Sequence, residues 1–224
     1  MRVILLGAPG SGKGTVGDRV SEATGFPRIS TGDLLRDAVR KDTPLGRRAK
    51  DQMGRGGLVD DALVLELLGE RLAAADARDG YILDGYPRNL DQARCLEGLD
   101  GKRAEVVFLI ETGEDVVVER LSGRRVCPNC GAVYNLVTKK TRREGICDVC
   151  GAHLVQREDD RPEVIRERMR TYRTQTEPLV AYYQAKGDLH KVDGNGSVEE
   201  TFSPIKSVLA RMPAGSGRVP RERS

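Results

Sequence analysis

Tryptophan is absent from this chain of 224 residues, phenylalanine occurs three times and histidine twice. So few aromatics leave little stacking surface for single-stranded nucleic acid. The two histidines, His153 and His190, fall in no recognisable catalytic pattern. No apolar run approaches the roughly 20 residues needed to span a bilayer. The first apolar stretch, Arg2 to Leu6, is too short for a secretory signal, and no small-residue cleavage site follows it. Excess charge is scarce too: 37 basic against 34 acidic side chains leave +3, too little to make nucleic acid the main partner. These absences make a cytoplasmic enzyme the expectation. Charged residues at 32% and apolar residues at 38% form a globular balance, and the length suits one domain with an insertion or two small ones.

What is present is unevenly placed. Arginine outnumbers lysine by 28 to 9. Codon bias accounts for most of such an excess, but arginine is also the better fork for phosphate. Of five cysteines, four fall within 24 residues, which in a chain without a secretory signal suggests metal before disulfide.

Residues 1–6 read as a buried strand, followed by a glycine-rich turn and a helix to about Ala23. Ser30 or Thr31 can cap a second helix. Pro44 and the glycines at 54–57 are expected to break up the next segment. Residues 60–75 form an amphipathic helix, Tyr81 to Leu83 a short strand ending at Asp84, 105–110 the clearest buried strand, and 114–122 a helix. From Gly123 to Asp160 glycines, charges and four cysteines replace large apolar side chains, which predicts a small insertion unable to build a core unaided. A long helix from Pro162 to about Lys186, kinked near Pro178, a strand at 188–192 and a helix at 197–211 complete the pattern. The tail from Pro213 is expected to be disordered. Alternating strands and helices imply an α/β fold with a mostly parallel sheet, whose ligands bind at the carboxyl ends of the strands.

Gly7-Ala8-Pro9-Gly10-Ser11-Gly12-Lys13 fits the phosphate-loop pattern, after a strand and opening a helix. Its glycines let backbone N–H groups turn inward around an anion, the helix terminus adds positive charge, and Lys13 can reach the outer phosphates. The usual hydroxyl after the lysine is replaced by Gly14, with Thr15 one position later. Asp84 ends a strand near the first one, where a carboxylate can hold Mg²⁺ directly or through its water shell, with helix capping as the plain alternative. Arg88 can fork onto a phosphate. Gln92 offers donors and acceptors to an adenine edge, although by composition it and Arg36 would be solvated helix residues. Cys127-Pro128-Asn129-Cys130 and Cys147-Asp148-Val149-Cys150 form two knuckles 16 residues apart, each followed by a glycine (Gly131, Gly151) suited to the turn. This is a closed, structural four-thiolate spacing for zinc, with iron open to the same ligands and two disulfides as the competing arrangement in an oxidising compartment. Cys95 is expected to be a core or half-buried thiol.

Together, the stretch Gly7 to Thr15, with Gly14-Thr15 after the lysine, and Asp84-Gly85-Tyr86-Pro87-Arg88 followed by Gln92 resemble the two hallmarks of adenylate kinases. The resemblance runs from Met1 to about Met212, and the cysteine insertion is similar to the zinc-bearing long lid of the bacterial type. It implies a P-loop nucleotide kinase fold with a parallel five-stranded sheet flanked by helices. The implied division is a core (1–29, 60–122 and 161–212), an AMP-binding segment (30–59), a zinc lid (123–160) and the tail (213–224). It implies ATP contacts from Gly10, Ser11, Gly12, Lys13, Gly14, Thr15 and Arg124, from Val133 and Tyr134 around the base, from Arg120 in the phosphate cluster, and from the backbone of Gly196 near the adenine. For AMP it implies Thr31, Arg36, Arg88 and Gln92, with backbone from Gly57, Leu58 and Val59 and from Gly85, Tyr86, Pro87 and Arg88. Arg157 and Arg168 would grip phosphates of both substrates, and Asp159 and Asp160 would pair with arginines at the lid hinge. Lys13, Asp84, Arg88, Arg124, Arg157 and Arg168 are the catalytic candidates. The implied reaction is MgATP + AMP ⇌ MgADP + ADP in a monomer that binds neither nucleic acid nor membrane and maintains adenine nucleotide balance. The competing functions are a kinase for UMP, CMP or GMP, a GTP:AMP enzyme, and a zinc-ribbon module that binds nucleic acid.

Overall fold

The computed structural model describes residues 1–99 and 103–212. The expected disorder of 213–224 lies outside them. A five-stranded, fully parallel sheet forms the centre, in the order β2 (Arg28–Ser30), β3 (Tyr81–Asp84), β1 (Arg2–Leu6), β4 (Glu105–Glu111), β7 (Leu189–Asp193). Val106 to Ile110 are all buried because helices cover both faces of the sheet, so no residue in this stretch has a solvent side. Alternation along the strands splits the core in two. Ile4, Leu6, Val107 and Leu109 face one cluster, and Val3, Leu5, Val106, Phe108 and Ile110 face the other.

Helices α1 (Lys13–Thr24) and α9 (Val198–Leu209) cover the second face. The first is covered by α2 (Thr31–Arg40), α3 (Pro44–Gly54), α4 (Asp61–Leu72), α5 (Leu90–Leu99) and α8 (Pro178–Lys186). Helix α2 is capped by Ser30, whose Oγ accepts from Asp33 N at 3.2 Å. The expected break falls at 41–43, and Pro44 opens α3 after it. Proline at the first helical position gives up only an N–H that would have no partner anyway, and Thr43 Oγ1 caps the turn. Helix α4 stops at Leu72, three residues earlier than the periodicity suggested.

The register between β1 and its neighbours pairs Leu5 with Asp84 and Leu6 with Leu109. The turn after β1, the end of β3 and the end of β4 therefore meet at one edge. Helix α6 (Glu114–Ser122) follows β4 and packs Val117 and Leu121 against Ala8 of that turn. Helix α7 (Pro162–Thr171) adds Ile165 and Met169 to the same small cluster.

The expected interruption near Pro178 is present, on the turn just ahead of it. Residues 172–176 make a wider turn with five-residue hydrogen bonds, such as Glu177 N to Tyr172 O at 2.9 Å. Proline carries no N–H to close a four-residue bond, and the extra residue is taken up ahead of it. Cys95 also departs from expectation. Gln92, Ala93 and Leu96 take the inner face of α5, which leaves Cys95 on the exposed side. Among the described residues no helix is long and apolar enough to cross a membrane.

Candidate functional site

The turn between β1 and α1 is built by glycines at Gly7 (φ 146°), Gly10 (φ 81°) and Gly12 (φ 96°), conformations that side chains resist. At Gly7 a Cβ would also come within 2.6 Å of the Ile110 carbonyl oxygen, so the turn can lie against β4 only as glycine. Lys13 folds back over it, and its Nζ donates to the carbonyls of Gly7 (2.8 Å) and Ala8 (2.7 Å). Ser11 is buried beneath, whereas Thr15 is exposed on the first turns of α1. Burial lowers the Lys13 pKa to about 8 against the opposing pull of Asp84, and the charges of Arg88, Arg168 and Arg124 press it down further. Four candidate residues from β3, its following loop, the insertion and α7 thus act electrostatically on one ammonium.

On the acceptor side, Thr31 Oγ1 donates to Gly85 O at 2.7 Å, and Arg88 Nε donates to the same oxygen at 2.8 Å. Tyr86 and Pro87 are buried and joined by a cis peptide. Gln92 is buried rather than solvated. Its Oε1 accepts from Arg88 N at 2.7 Å and its Nε2 donates to Asp61 Oδ1 at 2.6 Å. One lone pair and one N–H of its amide remain for a ligand. A single cavity is lined by Thr31, Arg36, Gly57, Leu58, Val59, Gly85, Arg88, Gln92 and Arg168, with Leu35, Met53 and Val64 as apolar wall. Burial drives the Arg88 pKa down to about 10 and that of Arg157 to about 9, with neighbouring guanidinium groups adding to both. A guanidinium stays protonated through the physiological range, so this crowding of positive charge amounts to a demand for an anion.

Arg124 and Arg168 are held at the base of the insertion. Arg124 donates to both oxygens of Asp160, at 2.7 and 2.5 Å, and Arg168 reaches Asp160 and Asp159, each at 3.1 Å. Arg157 lies 3.9 Å from Asp33 in α2. Burial raises the pKa of Asp33, but Arg36, Arg28 and Arg157 together outweigh that and bring it down to about 2. Arg120 sits on the flank of the glycine turn. Its guanidinium donates to the carbonyls of Gly194 (2.7 Å), Asn195 (3.3 Å) and Gly196 (3.0 Å), so it grips the loop after β7.

The insertion carries β5 (Arg124–Val126) and β6 (Val133–Asn135), an antiparallel pair. Each knuckle makes the same turn. Cys127 N donates to Ala132 O and Gly131 N to Cys127 O, and Cys147, Ala152 and Gly151 repeat the pattern. Gly131 (φ 77°) and Gly151 (φ 74°) supply the left-handed residue. The four thiol sulfurs lie within 4.8 Å of one another, with Cys127 to Cys150 at 3.3 Å and Cys130 to Cys147 at 3.5 Å. A tetrahedral zinc with Zn–S near 2.3 Å requires sulfur–sulfur edges of about 3.8 Å, so the donor set fits that ion with small adjustments. The Tyr134 ring is buried against Cys127 and Cys147, and its hydroxyl meets Cys147 Sγ at 3.5 Å and accepts from Asp148 N at 2.9 Å. Its side chain is committed to the interior of the insertion, so a base could meet only the backbone here or the half-exposed Val133.

Three residues of the site carried no recognisable signal in the sequence. Asp61 anchors Gln92, Asp33 holds Arg36 through Oδ1, and Arg28 joins Asp33 to Asp84. Each acts through partners distant in the chain or outside a motif.

A family model described as adenylate kinase matches residues 5–188. Curated relatives carrying the same name include one from Thermodesulfovibrio yellowstonii, 47% identical over 94% of this chain and 100% of its own. Another from Archaeoglobus fulgidus is 46% identical over 95% of this chain and 99% of its own. A third, from Kosmotoga olearia, is 46% identical over 92% of this chain and 97% of its own.

Proposed function

The chain belongs to the adenylate kinase family, and from that premise we propose how its residues divide the work of moving a phosphoryl group from MgATP to AMP to give two ADP. The enzyme is an ATP:AMP phosphotransferase. The assignment of roles is supported by one observation: Thr31, Arg36, Arg88, Gln92 and Arg168 line a single cavity.

Phosphoryl transfer needs alignment and charge neutralisation more than covalent help. Backbone N–H groups from Gly10 to Thr15 receive the ATP phosphates, and Lys13 leaves the carbonyls of Gly7 and Ala8 for the outer oxygens. Asp84 would hold Mg²⁺, directly or through its water shell, and the cation would supply charge neutralisation at the phosphates. Arg88 and Arg36 orient the AMP phosphate, while Thr31, Gln92 and the backbone of 57–59 and 85–88 enclose the nucleoside. Arg124, Arg157 and Arg168 surround the group in flight, where spread negative charge rewards preorganised donors. No general base is required, because the AMP phosphate is already a nucleophile. Arg120 frames the purine slot with the backbone of Gly196 and Val133. Residues 30–59 and 123–160 close over the substrates and exclude water, which would otherwise accept the phosphoryl group.

Zinc on Cys127, Cys130, Cys147 and Cys150 is structural, since four thiolates leave no open position. We place the enzyme in the reducing cytoplasm as a monomer. The four thiols gathered as one metal-ligating set, rather than paired, support the compartment.

A coupled assay of ADP formation with AMP, UMP, CMP and GMP as acceptors, and with ATP and GTP as donors, tests the substrate pair. AMP with ATP is expected to exceed every other pair. Equal or faster turnover of another acceptor or of GTP overturns it.

A further inference from the structure

Arg28 opens β2, and no motif includes it. Its stem runs along the first turns of α1, where Gly14 and Gly17 leave room. A Cβ on Gly17 would come within 2.6 Å of Arg28 Cδ, and one on Gly14 within 3.4 Å of Asp84 Oδ2 and 3.9 Å of Arg28 Nη1. Through this corridor the guanidinium meets three carboxylates. Nε donates to Asp18 Oδ1 at 2.6 Å, and Nη1 donates to Asp84 Oδ2 at 3.1 Å and to Asp33 Oδ2 at 3.3 Å. Among the described residues Arg28 is the only side chain hydrogen-bonded to Asp84. The other oxygen of Asp33 accepts from Arg36 at 2.6 Å and lies 3.9 Å from Arg157. The pairing of Ser30 with Asp84 in the sheet sets the span that Nη1 bridges.

We propose that Arg28 is a positioning residue for the transfer reaction, one guanidinium nitrogen fixing the metal-side acid Asp84 and the acceptor-side acid Asp33 together. The inference rests on the roles given above to Asp84 and Arg36. A carboxylate turns freely about its last bond unless a partner holds one oxygen. Arg28 holds Oδ2 of Asp84 and leaves Oδ1 for the hydrated cation. It also joins Asp84, Asp33 and Arg36 into one network, in which a change at either end is felt at the other. Removing Arg28 also removes a positive charge near Mg²⁺, which acts in the opposite direction. Arg28→Lys retains that charge and so separates the loss of orientation from the loss of charge.

The test measures binding of a non-transferable β,γ-methylene ATP analogue by calorimetry, with and without Mg²⁺. The ratio of the two Kd values is the metal factor. Arg28→Met keeps the stem and removes the donors, and is expected to cut the metal factor by about threefold or more. Arg28→Lys, a point charge that reaches one acid, is expected to recover part of it. Asp33→Asn, which touches no nucleotide, is expected to shift the metal factor in wild type but not beside Arg28→Met. A wild-type metal factor in Arg28→Met, with Asp84→Asn impaired, overturns the proposal, whatever happens to the melting temperature. An unchanged metal factor in Asp84→Asn overturns instead the role given to Asp84. Should Arg28→Met fail to fold, Asp18→Asn decides. It frees Nε at an exposed position and is expected to lower the metal factor by about twofold, and no change there overturns the proposal.

Discussion

The Arg124 guanidinium holds both oxygens of the fully buried Asp160 carboxylate, and so ties the strand that enters the insertion to the turn that leaves it. Arg168 shares the same carboxylate from α7. An ion pair of this kind fixes geometry more than it adds stability, because desolvation offsets most of the attraction. Removing one partner is another matter. Asp160→Asn leaves the buried Arg124 guanidinium without its carboxylate and Arg168 with Asp159 alone, and is expected to cost about 3 kcal/mol. In calorimetry that is a fall of roughly 6 to 12 °C in melting temperature for a domain of this size. A fall below about 2 °C would show that the pair does not hold the insertion.

Lys13 is expected to act only in its charged form. Burial brings its pKa down to about 8 in the free enzyme, so kcat/KM for ATP should be level below that pH and fall towards tenfold per unit above it. Bound phosphates favour the ammonium, so the corresponding limb in kcat lies at higher pH. Lys13→Ala should lower kcat by roughly 10² to 10³-fold and leave the melting temperature close to wild type. A flat kcat/KM profile to pH 10, or near-normal turnover in Lys13→Ala, contradicts the assignment.

Gln92→Ala leaves Arg88 N and the Asp61 carboxylate without their shared partner. The KM for AMP is expected to rise about tenfold, with the KM for ATP unchanged, the size expected for unpaired polar groups in a buried site. Steady-state kinetics with each substrate varied in turn checks this. An equal rise in both constants would mean that Gln92 acts on the whole fold.

Cys127 is buried within the insertion. Cys127→Ser, or removal of zinc by a chelator, should lower the melting temperature by about 10 °C while turnover at low temperature stays within about threefold of wild type. Melting curves, zinc stoichiometry and kcat at 10 °C together decide it. Unchanged stability with a full equivalent of zinc in Cys127→Ser would contradict a structural metal.

Local rules made most of the fold legible. The run Val106 to Ile110 announces a strand covered on both faces, the glycines before Lys13 announce a tight turn from strand to helix, and two Cys-x-x-Cys-Gly units announce a four-thiolate cluster. Each signal is complete within a few residues. Arg28 and Asp61 escaped because their meaning lies in partners 56 and 31 residues away in sequence, the first brought close by the β2–β3 register and the second by the meeting of α4 with the start of α5. Gln92 looked solvated because its environment comes from Asp61 and the loop at 85–88 rather than from its own helix. The interruption near Pro178 and the end of the rod at Lys186 both fall where the sequence puts them. A proline marks where a bond is missing, and the backbone compensates on the preceding turn.

That compensating turn at 172–176 has a consequence for how the rod tolerates change. One extra residue in a helix advances every later side chain by about 100°. Before the turn, Ile165 and Met169 pack with Ala8 beside the glycine loop, and after it Leu179 and Tyr183 lie in the large core cluster on one face of the sheet. The wider turn absorbs that advance, so Leu179 and Tyr183 point where they would on an unbroken helix one residue shorter. Deleting one residue between 172 and 176 would close the turn to ordinary helical bonds and leave both in the core, whereas adding one just after it, with no second wide turn to absorb it, would rotate both by about 100°.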